Sequence, residues 1–201
     1  MKLSDIRDAD IAGKTVLLRA DLNVALRGGA ADATRIVRCA ETIAALVDRG
    51  ARVVVIAHLG HPKGIANPVL SIAPIARLLS VELGREVQFV GDCIGAVAER
   101  TTRSLADGAV AVLENLRFHA GEEHNDRAFA LMLSVNGDIY VNDAPACSVR
   151  RHASIDAIVA LMPAFAGPQL IAAVANLDGT EALRLPGVAA LMSNTKVLET
   201  S

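Results

Sequence analysis

The sequence predicts an α/β domain built on a doubly wound, mostly parallel sheet. Three observations predict it. Short apolar runs rich in β-branched residues recur along the chain, stretches with helical spacing lie between them, and connections of that length permit parallel crossovers. The strand runs are residues 15–19, 52–57, 87–90, 110–113 and 138–141. They read as continuous apolar segments, as expected of strands covered on both faces.

Between the first two runs, cap signals at Asp32–Thr34 open a helix through Ile36, Cys39, Ala40, Ile43, Ala44 and Val47 that stops at Gly50. Further helices are expected over residues 71–83, 92–105 and 122–135, with His124 and Asp126 marking a helix start rather than metal ligands. Residues 157–177 carry no charge and have about the length of a membrane span. Pro163, Gly167, Pro168 and Gln169 break that stretch, and Asp156 and Asp178 flank it where basic anchors are usual, so no span is expected. A helix over residues 168–182 then leads to Leu185-Pro186-Gly187 and an apolar run at 188–192, read as an edge strand or as the first strand of a further domain.

Composition narrows the function. With 52% hydrophobic residues in 201, the chain can bury a real core and is not a disordered segment. The balance of 20 Lys+Arg against 22 Asp+Glu provides no basic field for nucleic acid, and no nucleic-acid or membrane partner is expected. Cys39, Cys93 and Cys147 are far apart and lack metal-ligand spacing, so neither disulfides nor a metal site is expected and a reducing cytoplasm fits best. The start, MKLSDIRDAD, is not a secretory signal.

In open α/β sheets ligands bind beyond the carboxyl ends of the strands. Asp21 and Asn23 follow the first run, His58, His61 and Lys63 the second, Glu114, Asn115, Arg117 and His119 the fourth, and Asn142, Asp143, Arg150, Arg151 and His152 the fifth. Arg35 is expected to begin the first helix, where its guanidinium and free backbone N–H groups face the same anion. Two readings stay open: a pocket for a small polyanion, with Asp21 and Asn23 accepting from hydroxyls, or solvated loops. No GxxxxGK[ST] or GxGxxG motif and no hydrolase elbow is present.

VLLRADLNVAL, TRI, AHLGHPKG, DCIG, VLENLRFH, GEEHND and YVNDA followed by RRHAS occur in the order of the substrate-binding half of the phosphoglycerate kinase family. The chain resembles that half from about residue 3 to residue 167. The resemblance implies a Rossmann-like three-layer domain over 1–167 that holds 3-phosphoglycerate or 1,3-bisphosphoglycerate, in a glycolytic phosphoryl transfer between 1,3-bisphosphoglycerate and ADP. It implies that Asp21 and Asn23 contact the carboxylate and hydroxyl end of the substrate. Arg35 then lies nearest the transferred phosphoryl group as the catalytic arginine, and His58, His61, Arg117, Arg150 and His152 supply the remaining contacts. Residues 168–201 resemble the linker helix and the opening strand and phosphate loop of the nucleotide domain, with Lys196 on the loop lysine and Ser193 and Asn194 in place of its glycines.

Three departures stand out. His61 replaces an arginine, Val149 a histidine, and Pro145-Ala146-Cys147 a Phe-Gly-Thr stretch. They fit drift at the pocket margin or relaxed selection on phosphoglycerate binding. The family uses Mg-ATP or Mg-ADP, whose contacts the resemblance places in a half that does not follow here, and with no Trp and only Tyr140 no adenine-stacking platform is expected either. The polypeptide is therefore expected to be truncated and inactive alone, in need of a missing C-terminal half. The alternatives are a non-catalytic phosphoglycerate-binding module and a degenerate remnant with only an interaction role.

Overall fold

Six strands, β1 (Thr15–Ala20), β2 (Arg52–Ile56), β3 (Val87–Val90), β4 (Val110–Leu113), β5 (Ile139–Asp143) and β6 (Ala164–Ala166), pair in parallel in the order β3-β4-β2-β1-β5-β6. The structure is a computed structural model that describes residues 3–24 and 30–198. Side-chain alternation sorts the apolar residues onto two faces. Val16, Leu18, Val53, Val55, Val112, Ile139 and Val141 enter one core with Ile36, Ile43, Ile75 and Leu79 from the helices. Leu17, Val54, Ile56, Ala111, Leu113 and Tyr140 enter the other with Phe129, Leu133, Leu170, Val188 and Leu191. Both faces are covered, which makes three layers, and parallel strands buried on both sides are why the sequence reads as unbroken apolar runs.

The helices are α1 (Ala30–Val47), α2 (Ala73–Leu83), α3 (Gly95–Arg103), α4 (Ala120–Glu123), α5 (Arg127–Ser134), α6 (Pro168–Val174), α7 (Gly179–Leu183) and α8 (Pro186–Leu198). Helix α1 begins at Ala30, ahead of the expected cap, so Arg35 lies in its second turn and not at its start. Gly28 and Gly29, which read from the sequence as a turn ahead of this helix, fall outside the described residues. The helix expected over 122–135 is two pieces: Asn125 takes a left-handed φ of 53°, and Asp126 caps α5 by accepting from Phe129 N at 2.8 Å.

The uncharged stretch 157–177 divides into the 3-10 turn Ala157–Ala160, strand β6 and helix α6. No helix among the described residues is long and apolar enough to cross a membrane. The helix expected over 168–182 is likewise broken, because Asp178 and Glu181 form a capping box that starts α7 afresh.

The strand expected at 188–192 is a helix. Val188 and Leu191 stand three residues apart and are both buried, which is helical spacing, and Pro186 opens α8 at a position where its missing N–H is harmless. A short apolar run has no period of its own to distinguish these outcomes. The phosphate loop expected there is therefore absent: Ser193 and Asn194 lie on α8, and the Asn194 amide donates to Val159 O and Met162 O at 2.6 and 3.1 Å. Lys196 sits on the same helix, its side chain outside the described residues.

Candidate functional site

Parallel strands end together, so the loops after β1, β2, β4 and β5 meet along one edge of the sheet. After β1, the Asp21 carboxylate accepts from Arg35 Nη1 at 2.9 Å, and the same nitrogen donates to Asn23 O at 3.1 Å. The Asn23 side chain turns to the next loop, its Oδ1 accepting from Gly60 N at 2.9 Å. Gly60 O in turn accepts from Arg117 Nη1 at 2.9 Å, and that nitrogen also donates to His61 Nδ1 at 2.9 Å. One continuous hydrogen-bonded path thus joins Asp21, Arg35, Asn23, His61 and Arg117 across three loops and helix α1.

The β2 loop is held against the β4 loop by its backbone. Gly64 N donates to Arg117 O at 3.0 Å, and a Cβ on Gly64 (φ 77°) would lie 3.1 Å from the Ala120 backbone, so glycine is required both for conformation and for the close approach. Asn115 is buried beneath this junction and bonds Leu59 and Leu70.

Arg117 is buried. Its Nε lies 3.3 Å from Glu123 Oε1 in an ion pair that is out of line for a hydrogen bond, and burial, partly offset by Glu123, holds its pKa below the usual arginine value. His58, 2% exposed, accepts at Nδ1 from Arg19 Nη2 at 2.9 Å, with Cys147 Sγ 3.8 Å from the same nitrogen. Burial first, and then Arg19, Arg117, Arg150 and His152, push the His58 pKa far below the ordinary histidine value. His152 is held down to about 4 by burial and then Arg117, against an opposing pull from Glu123.

The structure therefore joins Asp21, Asn23, Arg35, His61 and Arg117 through one hydrogen-bonded path, while His58 is bonded to Arg19 and is linked to Arg117, Arg150 and His152 only through their charge. Arg151 is exposed and pairs with Asp156 instead. Sequence reasoning missed the buried support. Arg19 donates through Nε to Ser154 Oγ at 3.0 Å, and Glu122 accepts from Ser154 Oγ and N at 2.6 and 2.9 Å. Burial would depress the Arg19 guanidinium, but Cys147, Glu122, Tyr140 and Asp21 raise it. The available signal was a charged residue near the end of an otherwise apolar strand.

The family model described as phosphoglycerate kinase matches residues 6–198. The chain belongs to the phosphoglycerate kinase family. It is 47% identical to the phosphoglycerate kinase of Caulobacter vibrioides over 179 residues, 89% of this chain and 45% of that protein. It is 47% identical to that of Methylorubrum extorquens over 201 residues, 97% of this chain and 50% of that protein. Among solved structures, phosphoglycerate kinase from Coxiella burnetii aligns with a TM-score of 0.75 at 34% identity, covering 86% of this chain and 43% of that one. The Pyrococcus horikoshii enzyme aligns with a TM-score of 0.78 at 30% identity, covering 86% and 44%. The chain spans about half the length of the curated relatives it matches.

Two other features of this phosphoglycerate kinase family chain have the outward form of a site. Asp92, Cys93 and His119 bring potential ligand atoms within 4.8 Å of one another. Asp92 Oδ1 already accepts from Cys93 N at 2.7 Å and lies 2.7 Å from His119 Nε2, while burial raises the Cys93 thiol well above its ordinary value and opposes the thiolate a metal needs. The turn accounts for the cluster without an ion. An apolar groove of about 490 Å³ between Leu3, Ile171, Val174, Leu177, Val188 and Met192 offers, among the described residues, no cation other than Arg7, which is paired to Asp5.

Proposed function

We propose that this chain is the phosphoglycerate-binding half of a phosphoglycerate kinase and holds 3-phosphoglycerate or 1,3-bisphosphoglycerate at the edge formed by Asp21, Asn23, Arg35, His58, His61, Arg117, Arg150 and His152. The observation that carries this reading is the hydrogen-bonded path from Asp21 through Arg35, Asn23 and Gly60 to Arg117, which fixes cations from separate loops around one place. Fixed cations suit a small polyanion, since guanidinium and imidazole N–H groups bond its oxygens without reorganising. In-line phosphoryl transfer asks little covalent chemistry of a protein, so preorganised charge beside the moving group supplies most of the effect. Arg35, oriented by Asp21, is the residue we assign to that task.

Mg-ATP and Mg-ADP are the second substrates of the reaction, and the described residues do not fit them. The segment resembling a phosphate loop is helical, and Asn194 spends its amide on two carbonyls of the domain. We assign nucleotide binding to the other half carried by full-length relatives, and glycolytic turnover to the two halves together in the cytoplasm.

Titration calorimetry of this polypeptide with 3-phosphoglycerate at low salt tests the binding claim. A single site is expected, weakened roughly 10- to 100-fold in Arg35→Ala or Arg117→Ala, as charged hydrogen bonds warrant. Absence of heat from 3-phosphoglycerate would refute the reading. A coupled assay with 3-phosphoglycerate and Mg-ATP is expected to show no turnover by this polypeptide alone, and turnover would refute the assignment of nucleotide binding elsewhere.

A further inference from the structure

Two histidines of the site present the same nitrogen to an arginine. His58 Nδ1 lies 2.9 Å from Arg19 Nη2, and His61 Nδ1 lies 2.9 Å from Arg117 Nη1. A guanidinium has only donors and stays protonated, so each Nδ1 must be the acceptor and each proton must sit on Nε2.

At His58 the constraint is tight. The ring is buried, Arg19 is fully buried behind it, and Arg19 is itself aimed by Ser154 Oγ at 3.0 Å and by Ala20 O at 2.6 Å. Ser154 is fixed in turn by both carboxylate oxygens of Glu122. Arg19 from β1 and Cys147 from the loop after β5 lie against Nδ1, and Arg117 from the turn after β4 and Arg150 and His152 from the loop after β5 act on the ring through their charge. The charged ones among them are cations, so a second proton on His58 is opposed. Among the described residues, no partner takes His58 Nε2.

We infer that Arg19 is a positioning residue that locks His58 as the neutral Nε2–H tautomer, so that His58 offers a bound phosphoglycerate a hydrogen-bond donor and not a cation. This rests on the binding reading above and extends it. Arg19 is fully buried and acts through His58, deciding which of its nitrogens is left for the ligand. His61, which replaces an arginine of the family pattern, is held in the same tautomer by Arg117.

Nitrogen-15 spectroscopy of the histidine side chains tests the lock without any ligand. His58 is identified among the five histidines by the signal lost in His58→Gln. From about pH 5 to about pH 8, His58 should keep a bare Nδ1 and a protonated Nε2. An Nδ1–H form, a tautomer mixture or an imidazolium at about pH 6 would overturn the inference.

Arg19→Met should release the ring into a tautomer mixture, and Arg19→Lys, which retains a pure donor, should restore the single form. A single Nε2–H tautomer persisting in folded Arg19→Met would overturn the role of Arg19. Should that variant not fold, the native titration decides. Saturating 3-phosphoglycerate should then shift the His58 Nε2–H resonance. Binding without that shift would overturn the donor role and leave the proposed function standing, whereas absence of binding would refute the proposed function and the donor role together, with the lock still judged by the ligand-free spectrum.

Discussion

Replacing Asn115 by alanine removes four hydrogen bonds from a fully buried position. Its Oδ1 accepts from Leu59 N at 3.3 Å and Arg117 N at 3.1 Å, and its Nδ2 donates to Leu59 O at 2.8 Å and Leu70 O at 2.9 Å. Four bonds at about 1 kcal/mol each, with the longest discounted, give a loss of about 3 kcal/mol. The denaturation midpoint in urea should fall by about 1.5 M for an m-value near 2 kcal/mol/M. Asn115→Asp is the sharper probe, because it keeps both accepting positions and turns a carboxylate oxygen toward two buried carbonyls. It should destabilise at least as much as alanine, since its second carboxylate oxygen would face two carbonyl acceptors with no donor, which is more costly than a gap. Both variants should also weaken 3-phosphoglycerate binding, because Asn115 joins the loop carrying His58 and His61 to the turn carrying Arg117. An Asn115→Asp protein within about 1 kcal/mol of the native one would refute the claim that this side chain holds the two loops together.

Three further outcomes are expected. His58 and His152 are neutral in the fold at pH values where the unfolded chain takes up protons, so their contribution is full above about pH 6.5 and falls with pH below it, by about 2 kcal/mol per group at pH 5; thermal melts from pH 7.5 to pH 5 check this, and a flat or rising melting temperature contradicts it. Gly167→Ala should destabilise by about 2–3 kcal/mol, because a Cβ there would lie 2.6 Å from the Asp143 Cβ and Cγ, and Asp143 is held by Thr42 Oγ1 and by Gln169 N and Nε2; an unchanged melting temperature would show that this junction yields. Asp126→Ala removes the cap on α5 and should lower stability by about 1 kcal/mol in urea titrations, the bond to Phe129 N being its source.

Much of the fold was legible because a parallel sheet covered on both faces leaves a plain mark. Val110–Leu113 and Val87–Val90 are strands over the same residues as their apolar runs, since each run is short, β-branched and bounded by polar loops. β6 was not legible. Ala164–Ala166 is three residues long within an uncharged stretch, and only pairing to Tyr140, Val141 and Asn142 makes it a strand. The run at 188–192 became a helix for a comparable reason: its apolar residues suit either period, and packing of Val188 and Leu191 into the second core decides between them.

The same division holds for the candidate site. The sequence alone determined which residues follow the apolar runs and so stand near the carboxyl ends of the strands of an expected parallel sheet, and it determined the family through ordered motifs; the strand order came only from the structure. Only the tertiary structure decided how those residues are used. Arg117 bonds Gly60 and His61 rather than standing free, and Arg35 is held by Asp21 from the second turn of α1. Arg19, which reads as part of a strand, sits behind His58 and presses on its Nδ1. Pattern reports where a side chain enters the chain, whereas a hydrogen bond depends on distance and direction between groups far apart in sequence, and those exist only once the sheet has brought its loops together.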